Sequence, residues 1–456
     1  MLSKNDKITL TIEGITTDGN GVARADGYAI FVPKTCVGDV VEILIVKPLK
    51  NYAFGKALNI IKPSKDRIEN TCDAYTRCGG CSFRHVSYEA ECKYKKEFIE
   101  NNMKKLGGIT VPCNDTLPSP KVDRYRNKAL YPVRFEDGEI KIGFFAKRSH
   151  SVIPCENCLL HPEYYEKILL AVKEFMIKNK VPAYNEETGE GLIRHIFIRH
   201  GEVSGEVMVC LIINGKKLPF EDELITSLLK INHNIKSIVL NTNTTKNNVI
   251  MGDICRTIYG NDYIVDILCG VKIAISPMSF YQINHDQTEI LYGKAKELLN
   301  PTAKETVLDL YCGTGTIGLS LAKDIKTLIG AEIIEEAVID ARKNAKLNGI
   351  DNARFICGDA GKVAKQLAAE KIRPDTIIVD PPRKGISDDV IEAICEMCPQ
   401  KVIMISCNSA TAARDCKILC EKGYEVKSIQ GVDMFPRTVH VEAIILMTYC
   451  GDKAKN

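Results

Sequence analysis

Over the first sixty residues apolar positions recur at every second place in short runs. Ile8–Ile12 alternates with threonine and glutamate, Tyr28–Val32 and Val40–Val46 follow, and Asp18-Gly19-Asn20-Gly21 interrupts them. Period-two runs cut by glycine-rich turns predict strands. Five such strands in about sixty residues predict a small closed barrel of the oligonucleotide-binding type. The period then changes. Tyr88, Cys92, Phe98, Ile99, Met103 and Leu106 fall at helical spacing, with Ser87 as N-cap and Gly107-Gly108 as the stop. Lys93, Lys95, Lys96, Lys104 and Lys105 belong to the other face of that helix. From about 122 to 265 strands and helices alternate without a repeat.

From residue 300 the pattern becomes regular. Strand Val307–Leu310 leads through a glycine-rich turn into a helix. Strand Leu328–Ala331, helix Glu335–Leu347 and strands Arg354–Ile356, Thr376–Val379 and Val402–Ile405 follow. Strands alternating with helices predict a parallel α/β sheet with its ligand at the strand C-termini. The expected organisation is a barrel over 1–60, a central α+β domain over 61–265 carrying a cysteine cluster, and a Rossmann-like catalytic domain over 266–456.

Composition narrows the class. The 456 residues are too many for one ordinary core. Apolar content of 45% and charged content of 26% are those of a soluble globular chain. No apolar run reaches the ~18 residues needed to cross a bilayer, and Met1–Lys7 carries no apolar secretory segment. The expectation is a cytoplasmic protein with no membrane contact and no obligate protein partner. In reducing conditions its 19 cysteines suggest metal ligands, catalysis or buried thiols. A net charge of +3 permits an anionic partner without demanding one. Lys47, Lys50, Lys56, Lys62 and Lys65 at the barrel's end are either its contact or a solvated face. Tryptophan is absent, so any base stacking falls to Phe, Tyr, His or Arg.

Candidate chemistry lies in the last third. Gly313-x-Gly315-x-x-Gly318 stands at a strand-to-helix junction, where glycine lets a ligand approach the backbone. Glu332 ends the next strand, where an acid holds a ribose diol. Those two features suit a nicotinamide dehydrogenase as well as a methyltransferase. Asp359 after the third strand, able to read an adenine amino group, and Asp380-Pro381-Pro382-Arg383 after the fourth favour the methyltransferase. Cys407 stands at the mouth of an apolar strand, where a depressed pKa would make it a nucleophile. Uracil C5 becomes nucleophilic only after something adds to C6, which a soft thiolate does well. A base must then remove the C5 proton, and Glu442 is the candidate, although a lone glutamate in a strand is more often a solvated residue. An exocyclic-amine methyltransferase, which needs no thiol, and a non-catalytic RNA-binding assembly factor are the competing readings.

Five segments carry a resemblance. They are Ser279-Phe280-Tyr281-Gln282-Ile283-Asn284, Asp309–Gly315, Asp380–Gly385, Ser406-Cys407-Asn408, and Asp433-Met434-Phe435-Pro436 with His440-Val441-Glu442. Through these the chain resembles the RumA/TrmA family of RNA (uracil-5)-methyltransferases. The resemblance implies adenosylmethionine as cofactor, Cys407 as the nucleophile towards C6 and Glu442 as the base. Gln282, Glu332 and Asp380 match positions lining the adenosylmethionine pocket, with Tyr311 and Gly313 in its turn. Phe280 or His440 could stack on the uracil. Arg437 departs from the histidine common in the family, and the departure should tune substrate contacts.

Cys72-x5-Cys78-Gly79-Gly80-Cys81 is a tight triplet, and Cys155-x2-Cys158 offers a fourth ligand. Spacing alone leaves structural zinc and [4Fe–4S] open. The resemblance favours [4Fe–4S], held by Cys72, Cys78, Cys81 and Cys158. It also makes the barrel a TRAM domain, an RNA-binding module. Barrel and cluster in one chain point to the branch acting on 23S rRNA, with tRNA as the alternative.

Overall fold

The computed structural model describes residues 2–147, 149–155, 157–231 and 234–451. Three sheets follow one another along the chain. The first is six-stranded, in the order Lys7–Thr11, Val40–Pro48, Tyr52–Lys62, Tyr28–Pro33, Asn20–Ala25, Gly14–Ile15. Its alternation buries Ile30, Val32, Val41, Ile43 and Ile45 inside the barrel. The last strand runs to Lys62 and the short pair at Gly14–Ile15 adds a sixth strand, so the barrel exceeds the sequence expectation slightly.

The second sheet has seven strands, ordered Val152–Pro154, Glu139–Phe145, Lys128–Glu136, Ile193–His200, Val207–Ile213, Ile235–Thr242 and Ile254–Gly260. Helices Tyr164–Lys178 and Glu221–Ile231 contribute to its core.

The third sheet has eight strands, ordered Ala353–Cys357, Thr327–Glu332, Thr306–Leu310, Thr376–Val379, Lys401–Ser406, Glu442–Tyr449, Tyr424–Val432 and Cys113–Leu117. The first five run parallel, while Glu442–Tyr449 is antiparallel to both its neighbours. Strand order reverses beside Thr306–Leu310, the point at which open α/β sheets bind ligands. Strand Cys113–Leu117 comes from the segment expected to be central. So does helix Tyr88–Gly107, whose Ile99 and Met103 join the catalytic core. The hairpin Ile264–Leu268 and Val271–Ile275 straddles residue 265 and buries its apolar side with Leu291, Ile317 and Ile405. Packing thus follows long-range apolar contact, which the order of elements along the chain does not reveal.

The helix Tyr88–Gly107 starts and stops as expected. Ser87 Oγ accepts from the Ala90 N–H at 3.4 Å, and Gly108 caps the end at φ 65°. Its faces differ from expectation. Leu106 is exposed, whereas Lys95 is fully buried. Lys95 Nζ donates to Glu91 Oε1 and Asp433 Oδ1, each at 2.7 Å, and to Phe435 O at 3.2 Å. Residue 95 lies one turn from both Glu91 and Ile99, on the face turned inward. Replacing Lys95 by methionine leaves buried Asp433 without its cation and Glu91 with only Arg437 Nη1, at 3.8 Å. We expect a loss of about 3–5 kcal/mol in urea unfolding. Because Asp433 begins the loop that carries Phe435 to His440, cofactor binding should weaken as well.

Among the described residues no helix is long and apolar enough to cross a membrane.

Candidate active site

The C-terminal edge of the third sheet opens on a cavity of ≈ 1200 Å³. Gln282, Tyr311, Gly313, Glu332, Asp359, Asp380, Cys407 and Glu442, eight positions singled out from the sequence, all line it. Register explains the meeting of the last two. Ser406, ending its parallel strand, pairs with Ala443, the second residue of the reversed strand. One step further outward brings Cys407 opposite Glu442. A parallel strand in that place would have put Glu442 at the far edge of the sheet.

The glycine turn is built for a close approach. Gly313 and Gly315 adopt φ of 54° and 80°, and Tyr311 also sits at a positive φ of 66°. Glu332 Oε2 accepts from the Gly313 N–H at 3.1 Å, and its Oε1 accepts from Ile334 N at 2.9 Å. The turn N–H that could hold a pyrophosphate is therefore already taken by a carboxylate. Asp359 caps the helix Ala360–Ala369, with Oδ1 accepting from Gly361 and Lys362.

Electrostatics separate the ligand classes further. Burial pushes Glu442 up to about 8, with Asp380 adding to the shift and Arg383 opposing it. Burial pushes Asp380 up to about 7. Asp309, whose Oδ2 accepts from Gly318 N at 3.1 Å and whose Oδ1 has no partner, is pushed up to about 8 by burial and then by Asp380. Burial disfavours the charged form of all three carboxylates, and a positively charged ligand would offset that cost. A dinucleotide pyrophosphate would meet repulsion there.

The thiol differs from expectation. Burial raises the Cys407 pKa and Glu442 raises it further, while the Arg383 guanidinium, hydrogen-bonded to the sulfur, opposes both. The expected depression is absent because a neighbouring carboxylate and the low-dielectric wall outweigh that one cation. Arg383 is held in place through its carbonyl, which accepts from Asn408 Nδ2 at 2.9 Å and Thr411 Oγ1 at 3.2 Å. Sequence reasoning quoted Arg383 inside a motif and gave it no role. Only the fold turns its side chain towards Cys407.

Phe280, 65% exposed, and half-buried His440 both line the cavity, where either could face a base. His440 sits edge-on to Phe435 at 6.0 Å, and burial followed by the Arg383, Lys95 and Arg126 cations lowers its pKa. Arg437 packs behind the cavity. Its Nη1 donates to Val86 O at 3.0 Å, its backbone N–H donates to Glu91 Oε1 at 2.7 Å, and it does not line the cavity. Its backbone adopts a φ of 70°.

The cysteine segment forms one wall of the same region, since Gly79, Gly80 and Ser82 line the cavity. Behind it, Cys72, Cys78, Cys81, Cys155 and Cys158 surround a second space of ≈ 260 Å³. Among the described residues no three His, Cys, Asp or Glu side chains close on one point as a single ion requires.

Comparison with known proteins decides the family. The sequence model described as tRNA (uracil-5-)-methyltransferase matches residues 87–449, and that of the TRAM domain matches residues 3–58. The chain belongs to the tRNA (uracil-5-)-methyltransferase family. An uncharacterised RNA methyltransferase of Halalkalibacterium halodurans is 43% identical over 98% of both chains. Another from Clostridium tetani is 42% identical, over 100% of this chain and 99% of that one. The solved Pyrococcus abyssi tRNA (uracil-54, C5)-methyltransferase, in complex with S-adenosyl-L-homocysteine, is 28% identical. It superposes with a TM-score of 0.79 over 96% of this chain and 99% of that one. This family member is therefore an adenosylmethionine-dependent RNA methyltransferase with an N-terminal TRAM barrel and a Rossmann-like catalytic fold. The nicotinamide and non-catalytic readings give way to that assignment.

Proposed function

We propose that the chain methylates C5 of a uridine in 23S rRNA through a covalent bond from Cys407 to C6. The observation that carries this reading is the antiparallel register ending at Ser406–Ala443, which leaves the next residues Cys407 and Glu442 side by side in one cavity with Asp380. Adenosylmethionine, when bound, supplies an electrophilic methyl group. Gln282, Tyr311, Gly313, Glu332 and Asp359 would hold it, and the carboxylate of Asp380 would favour its positive charge. Arg383 steadies the Cys407 thiolate, which adds to uracil C6 and moves the π pair to C5, with charge shared onto O4. C5 takes the methyl group. Glu442 then removes the remaining C5 proton, the C5–C6 double bond re-forms and the thiolate leaves. The uridine has to leave its stack to expose both carbons.

Barrel and cysteine cluster in one chain support the ribosomal target. The Pyrococcus abyssi protein, named for uracil 54 of tRNA and covering 96% of this chain, favours tRNA as a second reading. Incubation with labelled adenosylmethionine and unmodified 23S or tRNA transcripts, followed by nucleoside analysis, separates them. Label as 5-methyluridine in 23S RNA is expected; label in tRNA alone would overturn the target and keep the reaction.

The cysteines fit a [4Fe–4S] cluster held by Cys72, Cys78, Cys81 and Cys158. Cys72, Cys78, Cys81 and Cys158 all line one space, as the ligands of a cubane do. The Gly80 N–H donates to Cys78 Sγ at 3.4 Å, the Arg84 guanidinium lies against Cys81, and Arg126 and Lys128 line the same space. Such cations and N–H groups offset the negative charge of four thiolates. Cys155 and Cys158 both adjoin the triplet and hydrogen-bond each other, and the family resemblance selects Cys158 as the fourth ligand. Anaerobically purified protein should contain about four irons and four sulfides per chain. Cys81→Ser should lose them, and a stoichiometry near one zinc would overturn the cluster.

A further inference from the structure

Phe280 and Gln282 reach the cavity wall from a segment with no regular structure. Between strand Val271–Ile275 and helix His285–Leu299 the chain forms neither helix nor strand, so its backbone groups need partners from elsewhere. The second sheet supplies them. Arg199 Nη1 donates to Ser276 O at 2.7 Å, and its Nη2 donates to Ser279 O at 2.9 Å. Just before strand Lys128–Glu136, Asn127 Nδ2 donates to Gln282 O at 2.8 Å and the Asn127 N–H to Ile283 O at 2.9 Å. Tyr281, buried between exposed Phe280 and half-buried Gln282, donates its hydroxyl to Asp266 Oδ2 at 3.0 Å.

Arg199 is the costly member of this set. Alternation along Ile193–His200 turns Ile196 and Ile198 towards the helix-covered core, and Phe197 and Arg199 towards the catalytic core. The Arg199 side chain is fully buried, with its guanidinium 5.3 Å from the Phe197 ring. The titratable side chains beside it are Tyr165, Tyr281 and Cys210, and among the described residues no carboxylate pairs with it. Its cross-strand neighbour is a second cation, Lys128. Burial lowers its pKa to about 10.

A buried guanidinium without a counter-ion costs more than an apolar side chain of the same volume. Packing therefore does not account for it. Two carbonyls of an irregular segment, spaced to meet two terminal nitrogens of one rigid fork, do account for it. The far side of the segment is tied as well, since Ser279 Oγ donates to Asp340 Oδ2 at 2.6 Å on helix Glu335–Leu347. Ser279 is thus held between the second sheet and the catalytic domain.

We propose that Arg199 is a positioning residue for the adenosylmethionine site, resting on the reading that Gln282 holds the donor. By clamping the carbonyls of Ser276 and Ser279 it keeps segment 276–284 in the arrangement that presents Gln282 and Phe280 to the cavity. Donor affinity then depends on a side chain that does not itself line the cavity. A segment released from the clamp samples arrangements that do not bind, and affinity falls with the fraction left competent.

The test uses the full chain without RNA, in two measurements. In amide hydrogen exchange without adenosylmethionine, Arg199→Met should speed exchange across 276–284 by about 10-fold or more. Peptides covering Thr306–Leu310 and Lys401–Ser406 should stay at the parent rate. In calorimetry with adenosylmethionine, the same variant should bind about 10-fold more weakly. Arg199→Lys, which keeps the cation but lacks the fork, should recover part of the loss. Gln282→Ala should also weaken binding. The double variant should be little worse than the weaker of the two, because Arg199 acts through the segment that carries Gln282. Uniformly faster exchange, or failure of both Arg199 variants to fold, would make the residue a determinant of the fold alone and overturn the proposal. So would parent-like donor affinity in Arg199→Met, or additive losses in the double variant. Parent-like affinity in Gln282→Ala would instead overturn the reading of Gln282, while exchange across 276–284, measured without the donor, judges the clamp by itself.

Discussion

Cys407→Ala should abolish 5-methyluridine formation, with turnover falling by about 10⁴-fold or more while adenosylmethionine binding is retained. Without addition to C6, C5 of uracil does not carry the electron pair that takes the methyl group. The loss should therefore appear at the chemical step, in single-turnover nucleoside analysis. Calorimetric affinity for the cofactor should stay near the parent value, because the sulfur adjoins the pocket without being needed to bind the donor. Methylation surviving in Cys407→Ala would move the reaction to an exocyclic amine, for which the Asp-Pro-Pro turn is also suited. Cys407→Ser is the stricter companion, since it keeps volume and polarity and removes only the soft nucleophile.

Glu442→Gln should stop the reaction after methylation. The C5 proton then has no base, elimination slows by about 10²–10⁴-fold, and a methylated RNA remains bonded to the protein. A denaturing gel should resolve it as a slow-migrating band carrying label from the donor. Absence of that band, with free 5-methyluridine still produced, would remove Glu442 from the role of base.

The same residue sets a pH dependence. Glu442 works only when ionised, and its pKa of about 8 means that elimination by the parent enzyme should accelerate with pH up to about 8 before levelling. Stability should move the other way. Between the ordinary value of 4.5 and the folded value near 8, the folded chain holds a proton that the unfolded chain has released. The stabilisation from this protonation is complete below 4.5 and is lost as pH rises through 8. Glu442→Gln removes the ionisation, so the variant should lose less stability than the parent between pH 6 and 9. Urea midpoints across that range check the sign. A bound cationic donor should draw the pKa down and flatten the stability profile.

What was legible in the sequence is what depends on near neighbours. Helix Tyr88–Gly107, with its Ser87 cap and Gly108 stop, followed from spacing and cap chemistry, which act within one turn. Strands Thr376–Val379 and Lys401–Ser406 followed from short apolar runs, and the turn at Gly313 from glycine at a strand-to-helix junction. Those local features, with the motif resemblance, were enough to name the family and the residues around the cavity. Tertiary structure decided the rest, because it depends on register, burial and field across distant segments. The reversed strand Glu442–Tyr449 brings Glu442 to Cys407, and no periodicity encodes strand direction. Burial raised the Cys407 pKa where position alone had suggested a depressed one. Lys95 is buried because Asp433, 338 positions away, supplies its counter-charge. Strand Cys113–Leu117 finds its hydrogen bonds on the catalytic sheet, across the boundary that the order of elements along the chain had suggested. Local propensity selects the elements; the reacting geometry comes from which of their edges and faces must be paired or hidden from water.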